Sequence, residues 1–166
     1  SVVETSQHYA AVPDNQGRDN IASHELVRVI SEARDNAKLF LGASSGQVFT
    51  GESGTELLFR MISNAVLETE AGGNVVGTTL EHPASRSAAQ RWAKVANKEY
   101  LPVIHNDETG TVEAEDYAKV VTPDTRVATI LHTSPVTGMG VDVKAVSEAI
   151  RSISPDCYII VDGIQH

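Results

Sequence analysis

Residues 127–161 read VATILHTSPVTGMGVDVKAVSEAIRSISPDCYIIV, and this stretch decides the fold. Val127-Ala128-Thr129-Ile130-Leu131 shows little polar alternation, as expected of a strand buried on both faces. Val143, Val146, Ala149 and Ile150 then recur at helical spacing, and Cys157-Tyr158-Ile159-Ile160-Val161 is a second apolar strand. Strand, helix and strand in that order point to parallel pairing through a crossover helix.

The same alternation extends upstream. Residues 113–121 read as a short helix closed by Thr122-Pro123, and residues 100–104 as a strand that runs into the turn-rich segment His105 to Gly110. Residues 85–97 carry Ala88, Ala89, Trp92, Val95 and Ala96 on a helical face, after a strand over 75–79. From Thr55 a helix places Leu57, Leu58, Met61, Ile62, Ala65 and Val66 in paired apolar columns, and Ala71-Gly72-Gly73 ends it. Gln47-Val48-Phe49-Thr50 reads as a further short strand. Before it, Ser23 is placed to cap a helix carrying Leu26, Ile30, Ala33, Ala37 and Phe40, with Gly42 as its stop. The predicted class is α/β: an open, mostly parallel sheet with helices on both faces, without internal repeats, low-complexity tracts or a convincing linker.

Composition narrows the function classes. The 166 residues suit one domain, and 41% hydrophobic content argues against disorder. With 13 basic against 22 acidic residues the net charge is −9, which disfavours a nucleic-acid partner or an anionic membrane. A single cysteine excludes an intrachain disulfide, and no Cys/His pair has zinc-ligand spacing, so no metal site is expected. Residues 1–5 lack the basic flank and apolar block of a signal peptide, and no apolar run is long enough to span a bilayer. The expectation is a cytoplasmic protein of a reducing compartment. Because residue 166 falls just past a buried-type strand, where another helix should follow, the chain is also expected to be a fragment of a longer protein.

In open parallel sheets ligands bind outside the carboxyl ends of the strands, and four loops lie there. Thr50-Gly51-Glu52-Ser53-Gly54-Thr55-Glu56 leads into a helix whose first N–H groups suit a phosphate, or it is a plain turn capped by Ser53 or Thr55. It matches neither a P-loop nor GxGxxG. His82, in Thr78-Thr79-Leu80-Glu81-His82-Pro83, lies on the expected ligand rim or serves as a structural hydrogen-bonder. His132-Thr133-Ser134-Pro135-Val136-Thr137-Gly138 offers polar groups after a buried strand, or is a hydrogen-bonded loop. Asp162, in Asp162-Gly163-Ile164-Gln165, closes an apolar strand, where an unpaired charge is costly. No Lys or Arg lies near it in sequence. It needs either a cation brought by a ligand or a role as a helix cap.

Taken in order, these stretches resemble the class V aminotransferase and cysteine desulfurase group of fold type I pyridoxal-phosphate enzymes. The matching segments are Asn20 to Gly42, Val48-Phe49-Thr50 through Gly54-Thr55-Glu56, Glu81-His82, His132 through Gly138, and Val161-Asp162-Gly163-Ile164-Gln165. The resemblance implies that Gly54 and Thr55 hold the cofactor phosphate, that His82 stacks on the pyridine ring, and that Asp162 pairs with the pyridinium nitrogen. It further implies that Gln165 bonds the phenolic oxygen and that Ser134 contributes to the site, with His82 and Asp162 as the catalytic pair. An amino-acid substrate and a homodimer follow by the same route.

Two departures stand out. Where the desulfurases carry an Asn, this chain has Pro135, which offers no donor. None of Lys38, Lys94, Lys98, Lys119 and Lys144 matches the lysine through which the family attaches its cofactor, and the small C-terminal domain has no counterpart. Residues 1–166 therefore read as part of the large cofactor-binding domain, active only within an intact parent chain. Two other readings of the residues stand beside this one. One is a non-covalent nucleotide- or phosphate-binding module in which Asp162 meets a ribose hydroxyl or a metal; the other is an inactive scaffold of the same fold.

Overall fold

Side chains that point alternately to the two faces of each strand, both of them covered, sort the helices to the two sides of a sheet. The computed structural model describes residues 1–12 and 17–165, in two compact units, Ser1–Thr50 and Gly51–His166. The first contains α1 (Val2–Ala10) and α2 (Ile21–Phe40). The second runs α3 (Gly54–Glu68), β1 (Asn74–Thr78), α4 (Pro83–Val95), β2 (Glu99–Val103), α5 (Ala114–Val120), β3 (Thr125–Leu131), α6 (Val143–Ile153) and β4 (Tyr158–Asp162). Its four strands are all parallel, in the order β2-β1-β3-β4.

Because side chains alternate across a strand, Val75, Val127 and Ile160 face one side, where they pack on Ile62 and Val66 of α3 and Ala88, Ala89 and Ala93 of α4. Val76, Ala128 and Ile130 face the other, against Tyr117 of α5 and Val146 and Ile150 of α6. Right-handed crossovers account for this division. The chain moves outward from β1 to β2 through α4, then reverses past β1 to β3 and β4 through α5 and α6, so the later helices must cover the opposite face. The reversal makes β1 and β3 neighbours, and the crevice at such a switch point is where α/β sheets hold ligands. The ladder between β1 and β3 ends at Val76↔Ala128, whereas β3 and β4 stay paired to Leu131↔Asp162.

The predicted sheet with helices on both faces is found, and most elements lie within two residues of their predicted bounds. Three details differ. Residues 47–50 form no strand, and Phe49 is 72% exposed. A tetrapeptide of strand-like composition that pairs with no strand among the described residues stays irregular. The cap of α2 is Asn20, whose Oδ1 accepts from the N–H of Ser23 at 3.0 Å, so Ser23 lies inside the first turn. Helix α1 escaped the periodicity reading because it buries none of its side chains. Its legible signal is the Ser1-x-x-Glu4 capping box, closed reciprocally in the structure.

Ile150 is fully buried between α6 and β3, whereas Lys144 on the same helix is exposed. Ile150→Ala should cost about 2–5 kcal/mol of stability through lost burial and the cavity left behind. Lys144→Ala should change stability by less than about 0.5 kcal/mol. Urea unfolding of the two variants in the full-length protein checks the contrast.

Candidate functional site

The carboxyl ends of β1 and β4 and the amino end of α3 converge on one cavity of about 180 Å3, lined by Gly54, Thr55, Leu58, His82, Asp162 and Gln165. Ser53 caps α3: its backbone is extended, and its Oγ accepts from the Glu56 N–H at 3.1 Å. Gly54 and Thr55 thus form the first turn, where the helix field favours an anion. His82 caps α4, with Pro83 at the first helical position. Its Nδ1 accepts from the Ala84 N–H at 3.2 Å, so the neutral ring carries its proton on Nε2.

Asp162 ends β4 and is 6% exposed. It follows Ile160 by two residues and therefore projects to the same side of the sheet, towards the α3–α4 layer. Its Oδ1 accepts from the Ile164 N–H at 3.2 Å, while its buried Oδ2 has no hydrogen-bond partner among the described residues. A half-satisfied buried carboxylate aimed into a cavity is suited to a cationic or N–H-bearing ligand.

Of the residues singled out from the sequence, the structure brings Gly54, Thr55, His82, Asp162 and Gln165 together. Ser134 is not in that lining. It is buried in the loop after β3, where its Oγ accepts from the N–H groups of Val136 at 3.1 Å and Thr137 at 3.2 Å. Leu58, Ala84 and Ile164 complete the wall, and only their adjacency to the named positions could have signalled them. Cys157 is buried, and burial pushes its thiol up to about 11, so it stays protonated at neutral pH.

Beneath the rim lies Glu81, only 2% exposed. Its Oε1 accepts from the Thr78 N–H at 3.1 Å and from Thr129 Oγ1, and its Oε2 from Ser85 Oγ at 2.8 Å. Burial raises its carboxyl above the ordinary range; the three hydrogen bonds pull the other way, and nearby Asp162 adds to the rise. Tyr100 and Tyr117, whose hydroxyls are themselves pushed up by burial, flank it as neutral groups. Among the described residues no helix is long and apolar enough to cross a membrane.

The family model described as Aminotransferase class-V matches residues 1–166. A probable cysteine desulfurase of Mycoplasma genitalium is 25% identical over 164 residues, spanning 98% of this chain and 39% of the relative. Among solved structures, the apo cysteine desulfurase of Thermococcus onnurineus superposes with a TM-score of 0.83 at 19% identity, covering 98% of this chain and 40% of that one. A C-DES variant with glycine covalently linked to its PLP cofactor gives 0.80 at 17% identity, covering 98% and 43%. The chain thus spans about two fifths of the length of the relatives it matches.

Glu81 also makes stability depend on pH. An acid whose folded pKa is raised contributes fully below its unfolded value, about 4.3, and loses that contribution as pH climbs through the folded value. Glu81→Gln, which never ionises, should therefore gain stability relative to the parent as pH rises from about 4.3 towards the raised folded value. Urea midpoints of the cofactor-free full-length protein at the two ends of that range measure the difference.

Proposed function

The chain belongs to the class V aminotransferase family, and from that premise we propose that it forms part of the cofactor-binding domain of a pyridoxal-phosphate enzyme acting on an amino acid. The unpartnered Oδ2 of Asp162 carries this reading. A buried carboxylate, an imidazole and a helix amino end border one cavity, and they ask for a ligand with an N–H cation, an aromatic face and an anion. Pyridoxal phosphate has all three. The cavity is smaller than the ~300–1,000 Å3 of a complete small-molecule site. It is therefore a partial wall, consistent with a chain spanning two fifths of its relatives' length.

Each residue then has a task. Gly54 and Thr55 would receive the phosphate on the free N–H groups of α3. His82 would cover one face of the ring. Asp162 would accept the ring N–H and hold that proton in place, while Gln165 would bond the ring oxygen. The cofactor, when bound, supplies an electron sink for bonds broken at the amino-acid α-carbon. Ser134 supports its own loop. None of the five lysines lines the cavity, so the covalent anchor would come from another part of the parent protein. The names of the matched relatives make cysteine or a close analogue the first substrate to try. A homodimer in the cytoplasm completes the proposal, on the family resemblance alone.

Titrating the cofactor-free full-length protein with pyridoxal phosphate should produce a visible absorbance band that borohydride abolishes. Asp162→Ala should lower turnover by at least about 100-fold, since it leaves the ring without its counter-charge in a low-dielectric site, while circular dichroism of the backbone stays unchanged. A full-length protein that remains colourless contradicts the reading and favours the nucleotide-binding or scaffold alternatives.

A further inference from the structure

The β1–β3 ladder stops at Val76↔Ala128, although β1 continues to Thr78 and β3 to Leu131. Where two parallel strands part, their inward N–H and C=O groups lose their partners, and burying them unpaired is costly. Here a side chain fills the gap. Thr79 N–H still reaches across to Val103 of β2, whereas the Thr78 N–H bonds Glu81 Oε1. The same oxygen accepts from Thr129 Oγ1 on β3, and Oε2 accepts from Ser85 Oγ in the first turns of α4. Thr129 is held in turn from the opposite face, where Tyr117 Oη donates to its carbonyl at 2.8 Å.

Room for this carboxyl comes from Gly77. A Cβ there would stand 2.6 Å from Thr129 Oγ1, closer than side-chain carbons approach other atoms, and 3.0 Å from Glu81 Oε1, tighter than most such contacts. Glu81 immediately precedes His82, and Ser85 follows it by three residues. The carboxyl therefore fixes the turn that carries the imidazole onto the cavity rim.

We propose that Glu81 is a positioning residue for the cofactor: its buried carboxyl replaces the missing β1–β3 hydrogen bonds, holds the two strands apart at the switch point, and sets the imidazole of His82 against the ring. The role is geometric and needs no negative charge, because every contact to the carboxyl is an acceptor contact that an amide oxygen, with its NH2 turned towards Ser85 Oγ, reproduces in large part. This inference rests on the pyridoxal-phosphate reading of the cavity.

The test is cofactor affinity in the full-length protein, together with the visible circular dichroism of the bound cofactor, which reports ring orientation. Glu81→Ala strands the Thr78 N–H and should weaken binding by at least about tenfold and alter the visible dichroism. Glu81→Gln should restore affinity to within about threefold of the parent, together with the parental dichroism. Parental affinity and dichroism in Glu81→Ala overturn the proposal, as does a Glu81→Gln variant as impaired as the alanine. Should Glu81→Ala fail to fold, Ser85→Ala and Thr129→Val each remove one donor to the carboxyl. Weakened binding in both supports the proposal, and parental binding in both overturns it. A parent protein that binds no pyridoxal phosphate instead refutes the functional reading.

Discussion

A carboxylate buried at the end of an apolar strand, with one oxygen satisfied and the other not, is the constraint around which the site is built. Asp162 could not sit there at low cost unless something supplied a donor to Oδ2. The fold makes the position unavoidable. Period-two alternation along β4 turns Ile160 into the core beneath α3 and carries Asp162, two residues on, to the carboxyl edge of the same face. Strand order then sets the amino end of α3 and the turn after β1 beside it.

Two buried acids sit near this edge and have opposite circumstances. Glu81 has donors at both oxygens, from the backbone of β1 and the side chains of Thr129 and Ser85. Asp162 has one short-range backbone donor and an open oxygen. A satisfied buried group can hold a structure in place, and an unsatisfied one on a cavity wall is available to a ligand. That difference, more than residue type, separates the supporting role proposed for the first acid from the binding role proposed for the second.

Much of this architecture was legible in the sequence because parallel α/β folds follow strong rules. Strands buried on both faces read as apolar runs, as in Val127 to Leu131, and the loops at their carboxyl ends are where ligand residues gather. That is why His82, Asp162 and Gln165 share one edge, whereas Gly54 and Thr55 follow no strand and are marked instead by the Ser53-capped amino end of α3. Ser134 lies outside the cavity lining, and its hydroxyl bonds its own backbone two and three residues on, a competition invisible to spacing. Glu81 drew notice only as the neighbour of His82, since nothing in the sequence tells that β1 and β3 part company after Val76. Residues 47–50 have strand composition without a strand partner, and pairing is a tertiary fact.

The protonation state of the cofactor's ring nitrogen is the most direct test of the claim that Asp162 is completed by a cation from outside the polypeptide. Magnetic resonance of pyridoxal phosphate labelled at that nitrogen, bound to the full-length protein, reads it without reference to turnover. A ring nitrogen protonated in the parent and neutral in Asp162→Ala is the predicted result. The same neutral nitrogen in both proteins would contradict the account.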